Sequence, residues 1–261
     1  MRTTGTPRIA FDDVGDAGPA LLCLPGWCGE RSAFRPLYPH VKRRILAVDW
    51  RGHGGSEAAA ADFGERELIE DALAVIEAAG ADRIIPVATA HAGWIAIELR
   101  KRLGADRVPG IALVSWMVLG APPPFIEAIA ALQRPETTLA VRDKLFAMWT
   151  TGVDHRGVAE MVGRMGAVSA EMWQRGGREI AAGFARHPVP LDVLAPLACP
   201  TLHAYGQPTD PGFLRAQQDY AAKHPWFQVV KLDAQSHFPS IEAPEQLAAA
   251  LEAFASRVAQ P

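Results

Sequence analysis

A chain of 261 residues, 49% hydrophobic and 21% charged, has the composition of an ordinary globule with room for one sizeable core, which excludes a fibrous or disordered chain. Its formal net charge of −3, with the basic residues scattered, offers no stripe for nucleic acid, and the apolar runs 20–25 and 110–120 are too short to cross a membrane. Neither nucleic acid nor membrane is expected as a partner. The opening Met1-Arg2-Thr3-Thr4-Gly5-Thr6-Pro7-Arg8 lacks the apolar core of a secretory signal. The three cysteines (Cys23, Cys28 and Cys199) are an odd count, so a cytoplasmic protein is expected.

Residues 20–25 read as a strand running into a Gly-Trp-Cys-Gly loop, and 44–49 as the next. In 65–79, Leu68, Ile69, Ala72, Leu73 and Ile76 recur at helical spacing. Residues 83–89 form a third strand, 91–103 the helix after it, and 111–116 a fourth strand. Strands alternating with helices predict an α/β domain: a mostly parallel sheet with helices on both faces. From 118 to 193 the rhythm breaks into amphipathic helical stretches rich in Met, Ala, Phe and Trp, then strands resume at 200–205 and 228–232 and a last helix spans 244–258. The expected organisation is a core from 1–117 and 194–261 with a helical cap, 118–193, inserted over the carboxyl edge of the sheet, where such sheets bind ligands.

Four neighbourhoods converge on that edge. Pro86-Val87-Ala88-Thr89-Ala90-His91-Ala92-Gly93-Trp94 resembles the nucleophile elbow of the α/β-hydrolase fold. Ala88 and Ala92 meet the demand for small residues two before and two after the nucleophile. The slot itself holds Ala90, which has no nucleophilic atom, so an acyl-enzyme through it is excluded. Leu24-Pro25-Gly26-Trp27-Cys28 follows a strand where this fold draws an oxyanion-hole amide, giving the N–H groups of Trp27 and His91 as paired donors. Asp233-Ala234-Gln235-Ser236-His237-Phe238-Pro239-Ser240 places His237 where the fold carries its general base. Among the remaining histidines, His91 is a second candidate for touching substrate, His40, His155, His187 and His224 are expected at the surface, and His53 in a loop that holds structure. The orienting acid can follow either of two strands. After the fourth, the slot is the uncharged Ser115; after 200–205, Gly206-Gln207-Pro208-Thr209-Asp210 offers Asp210, which is assigned as partner of His237. No carboxylate–histidine spacing supports a metal. A base and an anion-stabilising pocket without a nucleophile can still remove an acidic proton and hold the anion dry.

Leu24-Pro25-Gly26-Trp27-Cys28, Asp49-Trp50-Arg51-Gly52-His53-Gly54, the elbow, Ser115-Trp116-Met117, Met172-Trp173-Gln174-Arg175, His224-Pro225-Trp226-Phe227 and Ser236-His237-Phe238-Pro239-Ser240 together resemble the 3-hydroxy-4(1H)-quinolone 2,4-dioxygenases over nearly the whole chain. The resemblance implies ring cleavage of a 2-alkyl-3-hydroxy-4(1H)-quinolone by O2, with release of carbon monoxide and an N-acylanthranilate and with neither metal nor organic cofactor; O2 and a flat apolar substrate with an alkyl chain are the partners. It implies that His237 removes the 3-hydroxyl proton, that Trp27 and His91 face a substrate oxygen, and that Ala90, Ser115, Trp149 and Phe238 line the substrate pocket. Three positions depart from the pattern: Ala90 replaces a serine, Ser115 the dyad aspartate, and Gly29 a histidine, which suggests more room beside the first loop. Two other readings stay open on this fold. One is a hydrolase, either disabled at Ala90 or working through water activated by His237. The other is a ligand receptor without catalysis.

Overall fold

The computed structural model describes residues 1–259. Its chain opens with two strands, β1 (Arg2–Thr3) and β2 (Ala10–Val14), before the first expected one, β3 (Ala17–Leu24). A 3-10 helix, Arg31–His40, leads to β4 (Arg43–Val48). Then follow α1 (Glu65–Ala79), β5 (Ile84–Thr89), α2 (Ala92–Arg107) and β6 (Ile111–Val114). Five helices come next: α3 (Pro123–Leu132), α4 (Thr138–Trp149), α5 (Arg156–Gly166), α6 (Ala170–Arg186) and α7 (Pro190–Leu194). The chain returns to the sheet with β7 (Thr201–Tyr205), α8 (Pro211–Lys223), β8 (Phe227–Lys231), α9 (Pro239–Glu242) and α10 (Pro244–Val258). One eight-stranded sheet results, in the order β1-β2-β4-β3-β5-β6-β7-β8. It is parallel from β4 to β8, and β2 runs antiparallel to β4 at the other end.

Period-two alternation divides the core between the two faces. Along β3, Leu22 and Leu24 belong to the same apolar cluster as α1, α2 and the helices of 118–193, whereas Leu21 and Cys23 pack with Phe34, Leu37 and the Leu247, Leu251 and Phe254 stripe of α10. Helix α1 begins where Glu67 Oε2 accepts the Gly64 N–H at 2.9 Å, and it ends at Gly80, whose φ of 59° suits glycine. Strand β2 was not expected because it carries two acids. Asp12 accepts from Arg31 Nε at 3.0 Å and Asp13 from Arg44 Nε at 2.8 Å, so both carboxylates are paired along the strand. Among the described residues no helix is long and apolar enough to cross a membrane.

Parallel pairing brings the carboxyl ends of β3, β5, β6, β7 and β8 to one edge. The loops after these strands face the helices from 118–193 across a cavity.

Candidate active site

Thr89 ends β5, and Ala90 turns sharply with φ of 50°, its N–H donating to Val114 O at 2.9 Å. Helix α2 starts at once, and Gly93 N–H returns to Ala90 O at 3.0 Å. The turn is crowded on both sides. A Cβ on Gly26 would stand 3.4 Å from Thr89 O and 3.6 Å from the Ala90 methyl, and one on Gly93 would collide with the Trp116 ring at 2.3 Å. The elbow geometry therefore rests on backbone bonds and small neighbours, and needs nothing from the side chain at 90.

Beside it, the Pro25–Gly29 loop is tied down by Trp50, whose indole N–H donates to Pro25 O at 2.7 Å, and by Gly29 N–H donating to Gly26 O at 3.1 Å. Trp27 stacks on Phe63 with centroids 5.8 Å apart. Among the described residues, the main-chain N–H groups of Trp27 and His91 make no hydrogen bond, which leaves both free for a ligand oxygen. The His91 ring is 4% exposed and pressed beneath α6, and among the described residues neither nitrogen has a hydrogen-bond partner; Glu65 Oε2 stands 3.7 Å from Nε2. Burial, helped by nearby Arg186, pushes its pKa down to about 3, so the ring is neutral.

His237 closes the opposite wall. Its main-chain N–H donates to Trp149 O at 3.0 Å, and its ring lies on the Trp149 indole with centroids 4.8 Å apart and planes 15° from parallel. Phe238 meets that indole edge-on at 6.1 Å. Burial lowers the His237 pKa to about 4. Gln207, just after β7, laces this wall together. Its side-chain amide donates to Gln235 O at 2.6 Å, Trp149 O at 3.1 Å and Met148 O at 3.3 Å.

Trp27, Ala90, His91, Ser115, Trp149, His237 and Phe238 all line the one cavity, together with apolar groups of the helices from 118–193 such as Phe125, Met161 and Trp173. Asp210 does not join them. It is exposed at the head of α8, with its carboxylate folded over its own first turn, 2.8 Å from where a Cβ on Gly212 would stand, and it makes no hydrogen bond or ion pair with His237. The assignment of Asp210 as partner is corrected on this geometry: the turn leads the acid away from the cavity, and only burial acts on the pKa of His237. Ser115, φ 50°, is held by its N–H to Ala204 O at 3.0 Å, and its buried Oγ has no partner among the described residues. Gly29 lines the cavity, but a Cβ there would stand 3.1 Å from Gly26 O, so the turn itself has little room for a side chain.

Sequence reasoning missed Gln207 and His203. The first bonds only to carbonyls distant in sequence, which leave no local signal. The second sits wholly buried in β7, its Nε2 accepting the Trp116 N–H at 3.3 Å and its Nδ1 meeting Gln217 Oε1. Among the described residues no group of three or more His, Cys, Asp or Glu is placed to hold a metal ion.

Residues 21–250 match the model of a family described as the alpha/beta hydrolase family. The chain is 34% identical to a 2-heptyl-3-hydroxy-4(1H)-quinolone dioxygenase of Mycobacteroides abscessus, over 95% of this chain and 94% of that protein. It is 33% identical to the 1H-3-hydroxy-4-oxoquinoline 2,4-dioxygenase of Pseudomonas putida, over 97% and 98%. In three dimensions it superposes with a TM-score of 0.90 and 34% identity, over 99% of both chains, on AqDC in complex with its product, a structure concerned with recognition and ring cleavage of the Pseudomonas quinolone signal.

Proposed function

The chain belongs to the 3-hydroxy-4-quinolone 2,4-dioxygenases, ring-cleaving enzymes on the α/β-hydrolase fold, and from that membership we propose that it cleaves a 2-alkyl-3-hydroxy-4(1H)-quinolone with O2 and without metal or organic cofactor. The observation that carries this reading is the pairing of a neutral His237 with two unspent amides across an apolar cavity whose nucleophile position is a methyl group.

In this reading the quinolone lies between the elbow and Trp149, and His237 takes the 3-hydroxyl proton. A base with a pKa near 4 is weak in the empty site, but the oxyanion formed beside it stabilises the imidazolium, since an opposite charge nearby favours the charged form. The anion is held by the Trp27 and His91 N–H groups, whose strength grows as the helices of 118–193 act as a cap and exclude water. The electron-rich anion passes one electron to O2, and the radical pair joins at C2. The distal oxygen then attacks C4, and the O–O bond breaks together with the bonds from C3 to C2 and C4. C3 leaves as carbon monoxide, and one oxygen atom remains on each of C2 and C4 in the N-acylanthranilate. Ala90, Ser115, Trp149 and Phe238 supply contact surface. Three buried, unpaired cysteines fit a place in the reducing cytosol.

The test is to incubate metal-stripped protein in air with 2-heptyl-3-hydroxy-4(1H)-quinolone while following O2 uptake and carbon monoxide release. Equimolar O2 consumption and CO formation, lost in His237→Ala, is the expected result. Binding without consumption would favour a receptor, and no binding would overturn the substrate.

A further inference from the structure

One buried side chain at the first loop has no place in the steps above. His53, 4% exposed, lies behind the Trp27–Cys28 loop on the side away from the cavity, its ring 6.3 Å from that of Trp27. Both ring nitrogens are committed. Nδ1 lies 3.0 Å from Arg51 O, an acceptor only, so Nδ1 carries the proton; Nε2 is therefore unprotonated and accepts the Cys28 N–H at 3.2 Å. Cys28 itself sits at φ 60°, a left-handed conformation that L-residues other than Asn and Asp rarely hold without an external tether.

Resting on the functional reading above, we propose that His53 is a positioning residue for the Trp27 donor: by holding the Cys28 N–H from outside the cavity, it keeps the loop in its left-handed turn and the adjoining Trp27 N–H at the cavity wall. The fold offers few substitutes for it. Trp50 fixes Pro25 and the Gly29–Gly26 bond closes the turn, but among the described residues Cys28 N–H has no other acceptor. His53 must be neutral to work, because a protonated imidazole has no lone pair to accept with. Burial favours the neutral form; of the charges around the ring, Arg175 of α6 does the same, Glu30 opposes it, and Arg164 of α5 lines the same recess. As pH falls, protonation of His53 breaks its bond to Cys28 and releases the donor loop.

The experiment combines [15N]-histidine NMR with kinetics on His53→Leu and His53→Gln. In the unmutated protein the His53 signals should be those of the Nδ1–H tautomer. In His53→Leu the backbone amides of Cys28 and Trp27 should shift together, and kcat should fall about 10- to 100-fold, short of the roughly 10²–10³ for outright loss of an oxyanion-hole donor, with KM changed little. His53→Gln, whose Oε1 can accept the Cys28 N–H, should recover most of kcat and lose the part of the acid limb that belongs to His53. An Nε2–H tautomer overturns the proposal even if no variant folds, as does a Leu variant whose Trp27 amide and kcat are unmoved. If the parent protein turns over no quinolone, the functional reading falls, and the tautomer and the coupled amide shifts still decide the role of His53.

Discussion

The two walls of the cavity are built in different ways. The elbow wall is made by neighbouring parallel strands: Leu24 pairs with Ala88, Thr89 with Val114, and Ala90 is fixed by main-chain bonds to Val114 and Gly93. The donors proposed for it are backbone amides, so its chemistry should survive whatever side chain occupies position 90. The base wall is assembled from distant pieces. His237 is placed by the end of α4 and by Gln207 from the loop after β7, through bonds spanning 58 and 28 residues. Changing the side chain at position 90 should therefore cost the elbow wall little, whereas losing His237 or Gln207 should cost the base wall much.

The sharpest way to break that contrast is His237→Ala. It should lower kcat by about 10²–10⁴-fold, the usual share of a positioned general base, while the circular dichroism and Tm of the protein change little. A residual rate within tenfold of the parent would mean that the proton leaves by another route.

Acid should come next. Burial holds His91 near pKa 3 and His203 near 4, below the ordinary value of 6.5. A depressed folded-state pKa favours the native state above pH 6.5 and loses that advantage as pH falls toward the folded value. Each of these rings should cost roughly 2 kcal/mol between pH 6.5 and 5, at 1.36 kcal/mol per unit. Calorimetry should show Tm falling steeply over that window; a flat Tm would mean that both rings take up their protons in the folded state, with Glu65 the neighbour best placed to stabilise that of His91.

Gln207→Met, which keeps the length of the side chain and removes its donor, loosens three carbonyls at once. At about 1 kcal/mol for a net hydrogen bond, kcat should drop roughly tenfold with the fold intact, and the fluorescence of Trp149 should change as its stack on His237 loosens. An unchanged emission spectrum and rate would show that the stack alone fixes the base.

The same difference explains what could be read in the sequence. The elbow wall was legible because its rules are local: an apolar run, small residues around a turn, a helix directly after it. Helix α1 was legible from its stripe for the same reason. The base wall was only half legible. His237 sits at a recognisable place, after a strand and before the last helix, but its surroundings depend on tertiary contacts. Asp210 has suitable spacing and the wrong direction, since it follows a turn that hands its carboxylate to α8. Strand β2 hid behind Asp12 and Asp13, and the Arg31–His40 helix behind Pro36 and Pro39. His203 gave no signal, because its partners Trp116 and Gln217 come from other elements.

Ala90→Ser should have the smallest effect, and it tests the contrast from the other side. The new hydroxyl would sit on an unchanged backbone at φ 50°, with the Trp27 and His91 amides untouched. A hydrolase would need that hydroxyl activated by a histidine that is itself oriented and made more basic by an acid. His237 lies flat on Trp149, has a pKa near 4 and no carboxylate partner, so it is a poor base for a serine whose own proton is far less acidic than a quinolone 3-hydroxyl. Ring cleavage should stay within about tenfold of the parent, or 1.4 kcal/mol of barrier, and a p-nitrophenyl ester should give no burst. An acyl burst would show that His237 can turn toward position 90, and so that the base wall is less rigidly separated from the elbow wall than Gln207 and the Trp149 stack imply.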